Sequence, residues 1–428
     1  MVKTAFINIY GKRVGVVAWD SNRGLASFEY DPKFDIKQLP IAPIKMPTKN
    51  RIYSFPEFRE NETFKGMPGL LADALPDRYG KELINAWLAR QGRPDDSLNP
   101  VELLCFIGKR GMGALEFEPV IGKESTSYDL ELTDLIETTK ALLEKKEEFH
   151  INSQHSMEDV MLDVLKMGTS AGGARPKAII AYDETTGKIK SGQTLAEEGF
   201  EHWLIKFDEI SDVQFGVLKG YGRVEMAYYK MATSFGIEMM ESRLIEENNR
   251  VHFMTKRFDR VGGNQKVHTQ TLCALQHYDF ANITSYSYEQ IFQTMRLLRL
   301  NYAEAEQMFK RMVFNVVARN CDDHTKNFAF LMDARGKWKL APAYDICFAY
   351  RPDSVWVSQH NLSINGKRRD FERKDLVAVG EQNSIRNPEK IIDQALELVK
   401  DWSKYAAMYQ VDRFLAKQIE GDLIKELK

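Results

Sequence analysis

Asn320-Cys-Asp-Asp-His-Thr-Lys-Asn327 is the stretch from which the rest of the chain can be read. It follows directly on Glu304–Asn320, the clearest helical pattern in the sequence, where Met308, Met312, Val313, Val316 and Val317 recur on one face. A dense polar run behind an apolar helix is either an ordinary C-terminal loop or a place where carboxylates and amides are held for chemistry. Beyond it, Phe328–Met332, a turn at Asp333-Ala-Arg-Gly336 and Trp338–Leu340 read as a hairpin. That hairpin would return Pro342-Ala-Tyr-Asp345 to the side of Asn327. One carboxylate and one amide oxygen, completed by phosphate oxygens and water, suit Mg²⁺, which wants hard oxygen ligands.

Working outward, three earlier pieces stand in a meaningful order. Gly168-Thr-Ser-Ala-Gly-Gly-Ala-Arg-Pro-Lys177 is a loop of small residues running into a strand. Ser170, Ala171, Gly172, Gly173 and Ala174 would let backbone N–H groups approach phosphate oxygens, with Arg175 and Lys177 adding charge. It matches neither GxGxxG nor the Walker pattern, and alone it reads equally as a flexible linker. In Leu204-Ile205-Lys206-Phe207 a lysine sits inside an apolar strand. It either points to water or, if buried, needs an anion such as a nucleotide phosphate. Glu225, at the start of a helix with Val224, Ala227, Tyr228, Met231 and Phe235 on its inner face, either pairs with Lys206 or is an exposed glutamate. Asp322 and Asn327 have the D-x-x-x-x-N spacing of a kinase catalytic loop, in which Asp accepts a hydroxyl proton and Asn binds Mg²⁺. His324 between them reads as an orienting or structural group, because no second His or Cys stands at metal-ligand spacing.

A strand-rich stretch (Ala178–Tyr182, Trp203–Phe207, Val251–Phe258) thus precedes a mainly helical one after Leu272, which is a two-lobed arrangement. Upstream, Ala5–Tyr10 and Val14–Trp19 read as a hairpin, and Leu70–Leu88 as a helix broken at Leu75-Pro76-Asp77. Gly108-Lys-Arg-Gly-Met-Gly113 reads as a tight turn rather than a phosphate loop, since no strand-to-helix context surrounds it. Leu130–Phe149 reads as an amphipathic connector. A capping-box helix with Ser156 and Asp159 follows, carrying Met157, Val160, Met161, Val164 and Leu165 on one face and ending at Gly168.

The 428 residues are about three times the ~150 typical of one domain. With 59 Lys and Arg against 61 Asp and Glu, the net charge of -2 supplies no global field toward nucleic acid or an acidic membrane. Cys105, Cys273, Cys321 and Cys347 form no CxxC pair and read as reduced thiols of a cytoplasmic protein. No secretory pattern and no stretch of ~18 apolar residues is present, so no membrane is expected. The run Lys367–Lys374 reads as a solvated charged face rather than a DNA contact.

Gly168–Lys177, Leu204–Phe207, Lys256-Arg-Phe-Asp-Arg260, Asp322-Asp-His-Thr-Lys-Asn327 and Ala343-Tyr-Asp-Ile346 together resemble the HipA family of Ser/Thr kinase toxins from type II toxin–antitoxin systems. Leu71-Ala-Asp-Ala-Leu-Pro-Asp77 and Gly111-Met-Gly-Ala-Leu-Glu-Phe117 are similar to that family's N-terminal unit. The resemblance implies an α/β (α+β) protein-kinase-like two-lobed fold: a small α/β subdomain over 1–120, a nucleotide-binding lobe over 121–265 and a helical catalytic lobe over 266–428. It implies ATP and Mg²⁺ as cofactors. Lys206 would contact the phosphates, Asp322 would be the base, and Asn327 with Asp345 would hold the metal. Lys256 and Phe258 would lie at the inter-lobe hinge beside adenine, and Ser170 would be a self-phosphorylation site. Asp323 stands where the family often has glycine; Asp322 is chosen as base because it keeps the spacing to Asn327.

The expected function is transfer of the ATP γ-phosphoryl group to Ser or Thr of a cellular protein and to Ser170, arresting growth unless a small DNA-binding antitoxin of the HipB type intervenes. The competing expectation is a catalytically silent nucleotide-binding scaffold acting as co-repressor. In either case no helix-turn-helix is evident, so DNA would be reached through the partner.

Overall fold

A computed structural model describes residues 2–120, 132–143, 165, 167–168, 175–191, 195–208, 211–212, 216–217 and 219–428. The opening hairpin pairs β1 (Thr4–Ile9) with β2 (Lys12–Asp20), and β3 (Leu25–Tyr30) extends it. Alternation buries Ala5, Ile7 and Ile9 on one face of β1, joined by Val17, which lies opposite Ala5. A short helix α1 (Gly69–Ala72) precedes α2 (Arg78–Arg90), the break falling at Leu75-Pro76-Asp77 as the sequence requires. Asp77 caps α2 by accepting from Gly80 N at 2.7 Å. α3 (Pro100–Ile107) opens on an Asn99–Glu102 capping box, and β4 (Leu115–Glu118) returns to pair antiparallel with β1. This four-stranded sheet has the order β3-β2-β1-β4.

Of the amphipathic connector, α4 (Leu132–Leu143) is described. The capping-box helix lies outside the described residues except Leu165 and Met167, which are buried, and Gly168. A five-stranded antiparallel sheet then combines β5 (Lys177–Tyr182), β6 (Ile189–Ser191), β7 (Glu201–Lys206), β8 (Ser242–Glu247) and β9 (Arg250–Lys256) in the order β8-β9-β7-β5-β6. Helix α5 (Tyr221–Ser234) packs on β8 and β9.

The remaining chain joins a three-stranded sheet to helices. β10 (His268–Thr271) pairs with β11 (Ala329–Met332), which pairs with β12 (Trp338–Leu340). The helices are α6 (Leu272–Gln276), α7 (Tyr288–Leu297), α8 (Tyr302–Val317), α9 (Arg373–Gln382), α10 (Pro388–Lys400), α11 (Trp402–Met408) and α12 (Arg413–Asp422). The apolar stripe of α8 is fully buried, as its periodicity predicts.

Two apolar cores organise these pieces. One runs continuously from Ala5 of β1 through Val224 and Met231 of α5 to Leu423. The other underlies the five-stranded sheet, joining Tyr79, Leu83 and Leu88 of α2 to Leu135 of α4 and Trp203 of β7. The N-terminal segment therefore packs into both lobes rather than standing beside them.

Candidate active site

β5 and β7 run antiparallel with Lys177 directly opposite Lys206. Like charges facing across a ladder repel, so each needs its own counter-charge. Lys206 gets two: Nζ lies 2.5 Å from Glu225 Oε1 and also donates to Asp345 Oδ1. Gly222 lets α5 come close enough for Glu225 to reach, because a Cβ there would meet Val251 O at 2.6 Å. Burial alone would lower the Lys206 ammonium's pKa, but Asp345 and Glu225 hold it above the ordinary value. For Asp345 the balance is opposite: burial would raise it, and Lys206, then Lys177 and Arg175, hold it below. Asp345 is held at φ 52°, a left-handed conformation that non-glycine residues rarely adopt.

The loop behind α8 begins at Arg319, also left-handed at φ 55°. Hydrogen bonds tie it on every side: Cys321 N to Ala349 O at 3.0 Å, Thr325 Oγ1 to Tyr278 O at 2.8 Å, and Tyr344 Oη to Lys326 O at 2.6 Å. The last of these joins the returning hairpin to the loop, as anticipated. Asn327 Nδ2 donates to Asp322 O at 2.6 Å, so its amide oxygen remains available, with no hydrogen bond to it among the described residues.

The two adjacent carboxylates have different surroundings. Asp323 is sealed: it accepts from Tyr288 Oη at 2.8 Å and Asn361 N at 2.7 Å, and lies 2.8 Å from His360 Nδ1. Burial would lower His360, yet Asp323 pushes it up to about 10. Asp322 keeps 48% of its side chain exposed and has His324 Nε2 at 3.9 Å. Confinement in the cleft and then Asp345 raise its carboxyl, against His324 and Arg175. An available carboxylate with a raised pKa has the properties a general base needs.

Of the other sequence-predicted residues, Arg175 Nη1 lies 3.9 Å from Glu225. Lys177 is turned to Asp77 Oδ2 at 3.1 Å, and burial lowers it despite that partner. Lys256 pairs with Glu201, and Phe258 lies 5.5 Å from the Tyr344 ring. A cavity of about 320 Å³ is lined by His202, Lys256, Phe258, Leu331, Lys339 and Pro342 among others. Ser170, Ala171, Gly172, Gly173 and Ala174 lie outside the described residues. Among the described residues no three His, Cys, Asp or Glu side chains are grouped to hold a metal alone. An Asn oxygen and one carboxylate fit a metal that takes its remaining ligands from phosphate and water.

The N-terminal segment also makes polar contacts that the sequence does not mark. Asp77 reaches Lys177 across the interface, and Asp73 accepts from Thr271 N at 2.7 Å and Thr271 Oγ1 at 2.8 Å. The glycine turn Gly108–Gly113 docks on Arg257-Phe-Asp-Arg260. Gly113 N donates to Asp259 at 2.6 Å, and Arg260 Nη2 donates to Gly111 O at 3.1 Å. The basic run Lys367–Lys374 is largely spent locally: Lys367 on Asp375, Arg373 on Asp393, Lys374 on Glu372.

Residues 5–118 match the HipA N-terminal domain, and residues 169–403 match the HipA-like C-terminal domain, more than half of the chain. The chain belongs to the HipA family. A chain of the Shewanella oneidensis MR-1 toxin–antitoxin complex of HipA, HipB and operator DNA matches with a TM-score of 0.68 and 15% identity, over 97% of this chain and 94% of that one. This HipA-family chain therefore has a mixed α/β, kinase-like two-lobed fold, as its sequence predicts. Over 27% of its length it is 26% identical to a Sinorhizobium fredii protein named as a kinase, Y4mE, and the match spans 30% of that protein. Among the described residues no helix is long and apolar enough to cross a membrane.

Proposed function

We propose that this HipA-family chain is an ATP-dependent Ser/Thr protein kinase. The observation that carries the reading is the pairing of an open carboxylate, Asp322, with a sealed neighbour, Asp323, beside the Lys206–Glu225–Asp345 cluster. In this reading Asp322 takes the proton of the acceptor hydroxyl, with His324 orienting it. Lys206 and Arg175 face the ATP phosphates, and Asn327 with Asp345 hold Mg²⁺. Mg²⁺ supplies charge neutralisation on the phosphates. Lys206 would exchange part of its bond to Asp345 for phosphate when nucleotide enters, while Glu225 keeps it in place. Phe258, Lys256 and the neighbouring cavity take the base.

Self-phosphorylation at Ser170 belongs to the same proposal: about -1.5 to -2 added charges in a loop that cradles ATP would repel the nucleotide. Restraint by a small DNA-binding protein of the HipB type, with growth arrest when it is lost, is proposed from family membership.

Incubating the purified chain with labelled ATP and Mg²⁺, with and without cell lysate, tests the reading. Label on protein Ser or Thr is expected, and it is lost in Asp322→Asn. Wild-type protein that binds ATP and transfers nothing would instead favour the silent scaffold.

A further inference from the structure

The chain from Ala349 to Asn361 is fastened at both ends to the loop that carries Asp322. At one end Ala349 N donates to Arg319 O and Cys321 N to Ala349 O, both at 3.0 Å. At the other, His360 and Asn361 hold Asp323 at 2.8 and 2.7 Å. Between these anchors the segment closes on itself. Arg351 N donates to Val357 O at 3.2 Å, and Ser354 Oγ accepts from Trp356 N at 3.2 Å and Val357 N at 3.3 Å. Asn361 Nδ2 then donates to both Cys321 O at 2.8 Å and Trp356 O at 3.0 Å. One side-chain amide thus joins the tip of this compact loop to the residue before Asp322. Compact loops of this kind, with close ends and internal hydrogen bonds, frequently carry function.

The tip presents Val355 at 76% exposure and Trp356 at 39%. They are the only sequence neighbours among the large, exposed apolar side chains of the described residues. An ordered backbone that holds two such side chains in water next to a catalytic loop is preorganised for an apolar contact. An aromatic anchor on a fixed backbone loses little conformational freedom when it is covered.

We propose that Val355 and Trp356 form a docking ledge for an extended segment of the protein substrate, selecting an apolar side chain close in sequence to the acceptor hydroxyl. This deepens the kinase reading and rests on it. Because Trp356 O and Cys321 O share one amide donor, they are no more than about 6 Å apart. An extended peptide advances about 3.3 Å per residue, so this separation spans about two residues, and the reach of the side chains at both ends widens the window to about four residues from the acceptor.

A degenerate peptide library with fixed Ser or Thr, phosphorylated by the full chain with labelled ATP and Mg²⁺, is the direct test. Wild type is expected to favour Leu, Ile, Met or Phe at one position within that range by about tenfold over Gly or Asp. The double variant Val355→Ser, Trp356→Ser should lose this preference and raise KM for the preferred peptide about tenfold, with an unchanged Kd for ATP and an unchanged melting temperature. A wild-type profile without an apolar position, a double variant that keeps the preference, or no transfer to any peptide by protein that binds ATP and labels lysate proteins would overturn the ledge. Failure to label any protein at all would defeat the kinase reading itself.

Discussion

Asp259 and Asp322 both sit among positive groups, but the two regions treat charge in opposite ways. Asp259 lies where the glycine turn of the N-terminal segment meets the chain beyond β9 and is fully buried. Arg257 Nε and Nη2, Arg260 Nη1 and Gly113 N all donate to it, at 2.6 to 2.8 Å. Burial would raise its carboxyl, yet Arg257 and then Arg260 hold it far below the ordinary range. Its acceptor capacity is filled and nothing is left to offer a ligand. In the cleft, Asp322 is half open, Asp345 is one-third exposed and Asn327 keeps an oxygen free. Around Asp259 the carboxylate oxygens are occupied by donors from the protein itself, whereas in the cleft acceptors are left unfilled. The difference can be tested residue by residue.

Asp322→Asn should give the largest effect: phosphoryl transfer falls by at least about 100-fold, the usual weight of a general base, while the melting temperature and ATP affinity stay near wild type. Asp323→Asn should do the reverse and lower stability, because it removes the carboxylate that holds the buried His360 in its charged form. Loss of transfer in a stable Asp323 variant, with an active Asp322 variant, would mean that the roles are exchanged. Next, Asp259→Ala strands two buried guanidinium groups and should cost about 3–5 kcal/mol, read by denaturant unfolding. A fully stable Asp259 variant would remove the contrast between the two regions.

His360→Gln sharpens the comparison through pH. The folded pKa of about 10 stands above the ordinary 6.5, so the charged pair stabilises fully below pH 6.5 and its contribution fades as pH rises through about 10. The stability gap between wild type and variant should therefore be widest in mild acid and narrow steadily in alkali; a gap independent of pH would show that the pair is not ionic. Smaller still, Lys206→Ala and Asp345→Ala should each weaken ATP–Mg²⁺ binding about tenfold by calorimetry, without the folding loss of Asp259→Ala. Wild-type affinity in both would refute the site as drawn.

What could be read from sequence was what is local. The D-x-x-x-x-N spacing, the apolar stripe of α8 and the hairpin to Asp345 all lie within about 45 residues, and each is set by periodicity or turn chemistry. Glu225 stands only 19 residues from Lys206, near the start of the next helix that the apolar periodicity marks. Asp77 with Lys177, 100 residues apart, and Gly113 with Asp259, 146 apart, carry no periodic mark, since their pairing is set by how whole sheets dock. The glycines at 108–113 read as a turn, but nothing in the sequence marks them as the docking edge: Gly113, at φ 77°, lies so close to Thr269 that a Cβ would meet its nitrogen at 3.0 Å. From sequence, Asp322 and Asp323 differ only in their spacing to Asn327, because nothing there shows that His360 and Asn361 come back to seal Asp323.

The packing of α3 on β1 and β2 bears on how the chain is made. β3 ends at Tyr30, whereas α3, which covers the apolar face of the sheet, ends only at Ile107. At about 5–20 residues per second, that face waits roughly 4 to 15 seconds for its partner helix. A translational pause between β3 and α3 is thus expected to lengthen its exposure, whereas a pause late in the message is not.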